Sequence, residues 1–328
     1  MCVSESEALV AALIERVDAV EPHVRPFIDT TSLIRYPAST SGTVLVKCEH
    51  QQRTGAFKVR GAIAKLATLS DEQRRRGIVA ASSGNHGLGV AYALDRLGGS
   101  GLVCVPENAS PVKVAAIEAL GVAVRRTGSE TGETEVWARA HAEENGMVYV
   151  SPYNDLDVIA GQGGIGLEID RQLGPEHLDV VVVAVGGGGL IAGVAAAIKA
   201  RRPHTRVIGA SPANDPAMME SVTARQVVDV RAKPTLSDGT AGAVEPGSIT
   251  LPLCVALVDD WILVEEPEIR QTLRDVIDRT HQLVEGAAAV AISAATSVAD
   301  EAPAGHRIAV VSCGANISAA TLSKALSG

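Results

Sequence analysis

Lys58 is the side chain of this sequence best placed for covalent chemistry. It lies in the run Arg53-Thr54-Gly55-Ala56-Phe57-Lys58-Val59-Arg60-Gly61-Ala62, shortly after Lys47-Cys48-Glu49, a pattern of strand, glycine-containing turn and helix start. Such a position falls at the mouth of an α/β sheet, where ligands bind. Nearby Arg53 and Arg60 are expected to disfavour the ammonium form of Lys58 by like charge, as an imine-forming amine requires. A solvated surface lysine is the plainer reading. The chain holds only seven lysines, however, so few others compete for the role.

Three further clusters have chemistry to offer. Ala81-Ser82-Ser83-Gly84-Asn85-His86-Gly87 follows the apolar run Ile78–Ala81. Small hydroxyl residues, a glycine and the first amides of a helix make a nest for a carboxylate, and Asn85 is able to hydrogen-bond a ring hydroxyl. The same residues also make an ordinary strand-to-helix turn. Residues 181–185, all valine or alanine, run into Gly186-Gly187-Gly188-Gly189-Leu190-Ile191-Ala192-Gly193. Four glycines between a buried strand and a helix let main-chain amides close on a phosphate, and the helix dipole adds to the attraction. A dinucleotide site, and with it an NAD-dependent oxidoreductase, is the rival. Against it, Ile191 or Ala192 stands where the third glycine of Gly-x-Gly-x-x-Gly would be, and the next strand ends in Ser211 rather than an acidic residue. Finally, Val310-Val311-Ser312-Cys313-Gly314-Ala315-Asn316 places a thiol just past a strand, where it would meet the nitrogen of a bound heterocycle. As a small core hydrophobe, Cys313 would need no such role.

These clusters need elements to hold them. From residue 43 onward, β-branched runs alternate with alanine-rich stretches of helical period, which predicts an α/β fold with mostly parallel sheet covered by helices. Strands are predicted over 43–48, 78–81, 101–105, 122–124, 147–150, 180–185, 207–210, 261–264 and 308–312. An opening helix capped by Ser6 carries Leu9, Val10, Leu13, Ile14 and Val17 on one face and ends before Pro22. A closing helix is predicted over 317–326, with no regulatory module appended. At 328 residues the chain exceeds the roughly 250–300 at which single cores stop growing, so two lobes are expected.

Composition narrows the partners. Hydrophobic residues make up 46% and charged residues 20%, as in ordinary globular proteins. A net charge of −9 with 2% aromatic residues disfavours nucleic acid and favours a small-molecule substrate. No apolar run approaches the roughly 20 residues of a membrane span, so no membrane partner is expected. Glu5 and Glu7 near the start do not suit an export signal, which points to the cytoplasm. Cys2, Cys48, Cys104, Cys254 and Cys313 are scattered, with no Cys-x-x-Cys pair, and are expected to be free thiols.

Taken together and in this order, the clusters resemble the serine/threonine dehydratase and serine racemase family of fold-type II pyridoxal-phosphate enzymes. Three other stretches share the resemblance: Ser151-Pro152-Tyr153-Asn154-Asp155 with residues 158–163, Leu236-Ser237-Asp238-Gly239-Thr240-Ala241, and Leu283-Val284-Glu285-Gly286-Ala287. The resemblance implies a tryptophan synthase β-like fold, with a large pyridoxal-phosphate-binding domain from 1–78 and 155–328, a small domain from 79–154, and a homodimer. It implies that Lys58 carries the cofactor as a Schiff base and serves as a catalytic base. Phe57 would pack beside the ring, Asn85 would meet its 3-hydroxyl, Gly186, Gly187, Gly188, Gly189 and Leu190 would hold its phosphate, and Cys313 would face its nitrogen. Ser82, Ser83 and His86 would hold the substrate.

The implied activity is an ammonia-lyase on L-threonine, L-serine or a related β-hydroxyamino acid, giving a 2-oxo acid and ammonia. Ser83 matches the serine that racemases of the family use as a base on the second face, so an amino-acid racemase stays open, as does a β-replacement enzyme. Relatives that bind magnesium have acidic residues where Ser211 and Ala217 stand. No metal is therefore expected.

Overall fold

A computed structural model describes residues 3–38 and 40–327, the side chains of Val3 and Ser4 excepted. Cys2 lies outside the described residues. Among these residues ten strands form two sheets: β1 (Leu33–Arg35), β2 (Thr43–Lys47), β3 (Ile78–Ala81), β4 (Gly101–Val105), β5 (Ala123–Arg126), β6 (Val148–Tyr149), β7 (Val180–Ala184), β8 (Arg206–Pro212), β9 (Asp260–Val264) and β10 (Arg307–Val311). The larger sheet runs β1-β2-β10-β7-β8-β9 and the smaller β5-β4-β3-β6. Every pairing is parallel except the edge hairpin of β1 with β2. Parallel strands buried on both faces read as unbroken apolar runs, and β7, Val-Val-Val-Val-Ala, is buried at every position.

Each predicted strand is present, with ends that coincide or shift by one or two residues. Only β1 was not legible, because three residues at a sheet edge carry no periodic signal. The opening helix spans Val3–Val24 and so starts before Ser6 and passes through Pro22. In the last turn that proline removes one main-chain hydrogen bond without ending the helix. The closing helix is Ala319–Ser327.

The two sheets share much of one interior. Val44, Val181 and Val310 of the larger sheet belong to the same apolar cluster as Ile78, Ala80 and Val103 of the smaller. The opposite face of the smaller sheet has its own patch of Val79, Ala81, Cys104, Ala138 and Ala142. Glycines let the helices between the sheets approach: a Cβ on Gly193 would lie 2.3 Å from the Ile159 carbonyl oxygen, and one on Gly61 2.3 Å from the Gln162 side chain.

Candidate active site

Parallel strands followed by helices bring helix starts to one end of each sheet. Lys58 opens the helix Lys58–Thr68, Asn85 opens Asn85–Leu97, Gly189 opens Gly189–Arg201, and Glu285 immediately precedes Gly286–Glu301. Four helix N-termini are thus assembled around one site. Their unpaired first amides and dipoles favour anions there.

The Lys58 amine donates to the Pro152 carbonyl at 2.8 Å and lies 5.1 Å from the centre of the Phe57 ring. Burial lowers its pKa to about 8, against opposing pulls from Cys313 and Glu285. The direction matches the sequence expectation but the cause does not. Arg60 is buried and saturated by carboxylates, with hydrogen bonds to Glu49 and Glu168, and Arg53 pairs with Asp29 at the surface. Desolvation, not like charge, disfavours the ammonium form.

Asn85 donates from Nδ2 to the Glu285 carboxylate at 2.9 and 3.1 Å, and its Oδ1 accepts from Asn316 Nδ2 at 2.7 Å. The Asn316 amide also donates to Glu285 at 3.1 Å, and its side chain donates to the Thr54 carbonyl at 2.9 Å. The Cys313 sulfur lies 4.0 Å from Glu285 Oε1. Burial raises the pKa of both groups, so the thiol stays neutral and Glu285 holds its proton more tightly than an ordinary carboxyl. A Cβ on Gly314 would be 2.5 Å from that carboxylate, so any larger residue there would displace the Glu285 side chain.

The four glycines are walled by specific neighbours. A Cβ on Gly186 would meet the Thr240 main chain at 2.8 Å, and one on Gly187 would enter the Tyr153 ring at 2.4 Å. Gly188 has φ +84°, in the left-handed region that glycine favours. Tyr153 is held in turn by its hydroxyl, which accepts from the Glu245 amide at 2.9 Å, and the Thr250 hydroxyl donates to the Gly187 carbonyl at 2.7 Å. Leu190 is buried behind the turn.

In the loop after β3, Ser82 Oγ accepts from the Gly84 amide at 3.1 Å. The Ser83 side chain makes no hydrogen bond to the described residues and is half-buried. His86 is buried, with Nε2 2.8 Å from the Val150 carbonyl and Nδ1 unpartnered. Burial holds its pKa down to about 3, so the ring is neutral, Nε2 donates to Val150, and Nδ1 is left with a lone pair. What His86 offers a carboxylate is its main-chain amide rather than its ring.

Sequence reasoning singled out Lys58, Asn85, Cys313 and the glycines; the structure brings Asn85 and Cys313 together at Glu285, and Lys58 reaches the glycine turn's Tyr153 wall through Pro152. It gave no role to Glu285, Asn316, Tyr153 or the Pro152 carbonyl. Each of these lay within a stretch quoted for the resemblance, which was the available signal.

The family model described as pyridoxal-phosphate dependent enzyme matches residues 24–314. An L-threonine ammonia-lyase of Thermotoga maritima is 41% identical over 278 residues, covering 85% of this chain and 68% of its own. The catabolic L-threonine dehydratase TdcB of Staphylococcus aureus is 40% identical over 285 residues, covering 86% and 82%. Among solved structures, the processed threonine deaminase isoform 2 of Solanum lycopersicum superposes with TM-score 0.92 at 31% identity, covering 100% of this chain and 89% of that one. Maize serine racemase superposes with TM-score 0.87 at 30% identity, covering 96% of each. The chain belongs to the pyridoxal-phosphate-dependent enzymes of fold-type II, in the branch of threonine dehydratases and serine racemases.

Its residues fit that cofactor. A lysine with a depressed amine pKa, a glycine turn at a helix start and a neutral thiol beside a buried carboxyl form one connected site. Among the described residues no three side chains of His, Cys, Asp or Glu are grouped to hold a metal ion, and no helix is long and apolar enough to cross a membrane.

Proposed function

We propose that this protein is an ammonia-lyase that converts L-threonine, L-serine or a related β-hydroxyamino acid into a 2-oxo acid and ammonia. The observation that carries the reading is the Lys58 amine, partly enclosed beside Pro152 with its pKa lowered to about 8. Such an amine is available near neutral pH both to form an imine and to act as a base. The amides of Gly186–189 and Leu190 would hold the cofactor phosphate, Asn85 the ring hydroxyl, Cys313 the ring nitrogen and Phe57 one edge of the site. Bound there, pyridoxal phosphate supplies the electron sink that makes the substrate Cα–H bond acidic.

The first-turn amides after Gly84, with Ser82 and Ser83, would orient the substrate carboxylate. Nζ of Lys58 would take the Cα proton and could pass it to the β-hydroxyl, which would leave as water. The neutral thiol of Cys313 would give the ring nitrogen no proton, and a cofactor held so would suit prompt loss of the β-substituent. Replacing Lys58 with alanine should abolish both the near-visible absorbance of the bound cofactor and 2-oxo acid release; persistence of the two would refute the assignment.

The unpartnered hydroxyl of Ser83 supports a second reading, amino-acid racemisation, in which it serves the face opposite Lys58. Following D-serine, pyruvate and adducts of added thiols separately, from L-serine, distinguishes lyase, racemase and β-replacement activity. The division into a large domain (1–78 and 155–328) and a small one (79–154), a homodimer and a cytoplasmic location complete the proposal. Light scattering of the purified chain tests the dimer.

A further inference from the structure

We propose that Glu168 and Glu49, acting through Arg60, are positioning residues for Lys58: the buried ion network they form clamps the first turn of the helix that carries the amine. The inference rests on the reading of Lys58 as the cofactor-linking lysine.

The helix Lys58–Thr68 begins without the usual aid. Phe57 precedes it and supplies no side-chain cap; main-chain bonds from Phe57 to the Cys313 carbonyl and from Arg60 to the Phe57 carbonyl hold the turn on the site side, and no side chain of the turn itself anchors it there. Arg60, two residues on, is 1% exposed and reaches away from the site. Its Nε and Nη2 donate to Glu49 at 2.7 and 2.8 Å, and its Nη1 and Nη2 donate to Glu168 at 2.8 and 2.9 Å. Glu49 follows β2, and Glu168 lies on the helix Leu156–Leu173, so the guanidinium ties the Lys58 turn to two separate elements.

The remaining valences close inside the network. Lys47 donates to Glu168 at 2.6 Å, to the Thr31 carbonyl at 2.6 Å and to Gln172 at 3.0 Å, and the Thr31 hydroxyl donates to Glu49 at 2.5 Å. Two cations meet two carboxylates, so no net charge is left to act on the Lys58 amine. A buried network of this sort is weak support for stability, since apolar residues of equal volume often serve as well. What it supplies is one geometry, at the turn where the geometry of an amine matters.

The consequence is measurable. Burial is the chief cause of the low Lys58 pKa, so a loosened turn that admits water should return the amine toward its ordinary value. Cys313, Glu285 and His86 face the amine from the neighbouring elements and are left unchanged. The full chain, stripped of cofactor with hydroxylamine, is acylated with acetic anhydride across a pH series, and the Lys58 peptide is quantified by mass spectrometry. With a pKa of about 8, half the wild-type amine is free at pH 8; a rise of roughly one unit leaves about a tenth free, and acylation at pH 8 slows about fivefold.

Arg60→Lys, which keeps the charge but loses the fork, and Glu168→Gln should both show this slowing, together with faster loss of cofactor from the holoenzyme in dialysis. Thr31→Val, at the edge of the network, should show a smaller shift in the same direction. Ile269→Val, a buried change on the helix Glu266–Thr280, which carries no member of the network, should lower the melting temperature and leave the titration in place. Folded variants that titrate as wild type overturn the proposal, and if only Thr31→Val folds, an unshifted titration in it does the same. Borohydride reduction of wild-type holoenzyme, with the label sought on the Lys58 peptide, tests the underlying reading apart from these arms.

Discussion

Adding one methyl group at Gly187 tests whether the glycine turn is a rigid cradle. The new Cβ would lie 2.4, 2.5 and 2.6 Å from three ring carbons of Tyr153, and contacts that short have to be relieved. The ring has little freedom to retreat, because its hydroxyl is held by the Glu245 amide and its own Cβ faces Gly189. Overpacking a dense site costs about 1–3 kcal/mol. Losing the tyrosine hydrogen bond adds about 0.5–1.5 kcal/mol.

Gly187→Ala should therefore destabilise the cofactor-free protein by about 2–4 kcal/mol. If only about 2 kcal/mol falls on the bound geometry of the turn, the dissociation constant for pyridoxal phosphate rises roughly 30-fold. Urea unfolding of the stripped protein reads the first quantity and equilibrium dialysis the second. Tyr153→Phe keeps the ring but not its hydrogen bond, so in that background Gly187→Ala should be spared only the hydrogen-bond part of its cost, about 0.5–1.5 kcal/mol, whereas Tyr153→Ala should make the second substitution nearly free of further cost. An unaltered dissociation constant in Gly187→Ala, or equal costs in both Tyr153 backgrounds, would refute the cradle.

Two buried groups of the site should pull stability in opposite directions with pH. His86 has a folded pKa below its unfolded one, so its contribution is complete above about 6.5 and is lost on acidification at about 1.4 kcal/mol per pH unit; His86→Asn should flatten urea midpoints between pH 6 and 4. Glu285 has a raised folded pKa, so its penalty is complete above that value and is relieved as the pH falls toward the ordinary carboxyl range; Glu285→Gln should remove that component. Cys313, Cys48, Cys104 and Cys254 are buried with raised thiol pKa values, and native protein at pH 8 should show them slow to react with a thiol reagent until urea unfolds it. Magnesium and chelator should leave the melting temperature unchanged, since Ser211 is engaged with the Val185 carbonyl and Ala217 has no side-chain oxygen to offer.

What could be read from the sequence was what local order encodes. A strand, a turn and a helix start within a dozen residues announced Lys58, Asn85 and the four glycines, because main-chain direction at those junctions is set by neighbours in sequence. Glu285 meets Asn85 across 200 residues, and Arg60 meets Glu168 across 108, and no local pattern shows either pairing. The Lys58 environment was misjudged for the same reason. Arg60 is visible in the sequence as a charge near the amine, but the carboxylates that cancel it come from Glu49 and from a helix a hundred residues on. Those meetings depend on how the strands order in the two sheets and how the helices pack between them, and only the fold reveals it.

The arrangement also explains why an amine and two anions can share so small a site. Four helix starts turn their unpaired amides inward, which favours a phosphate and a carboxylate and disfavours a second ammonium. Burial lowers the Lys58 pKa in the same sense and outweighs the opposing pull of Cys313 and Glu285. An amine that is half deprotonated near pH 8 can bond to an aldehyde without a separate base and can then take a proton in turn. That double use requires the amine to remain at one place through both events, and the demand for fixed position falls on the only helix start of the four whose arginine is locked between two carboxylates behind it.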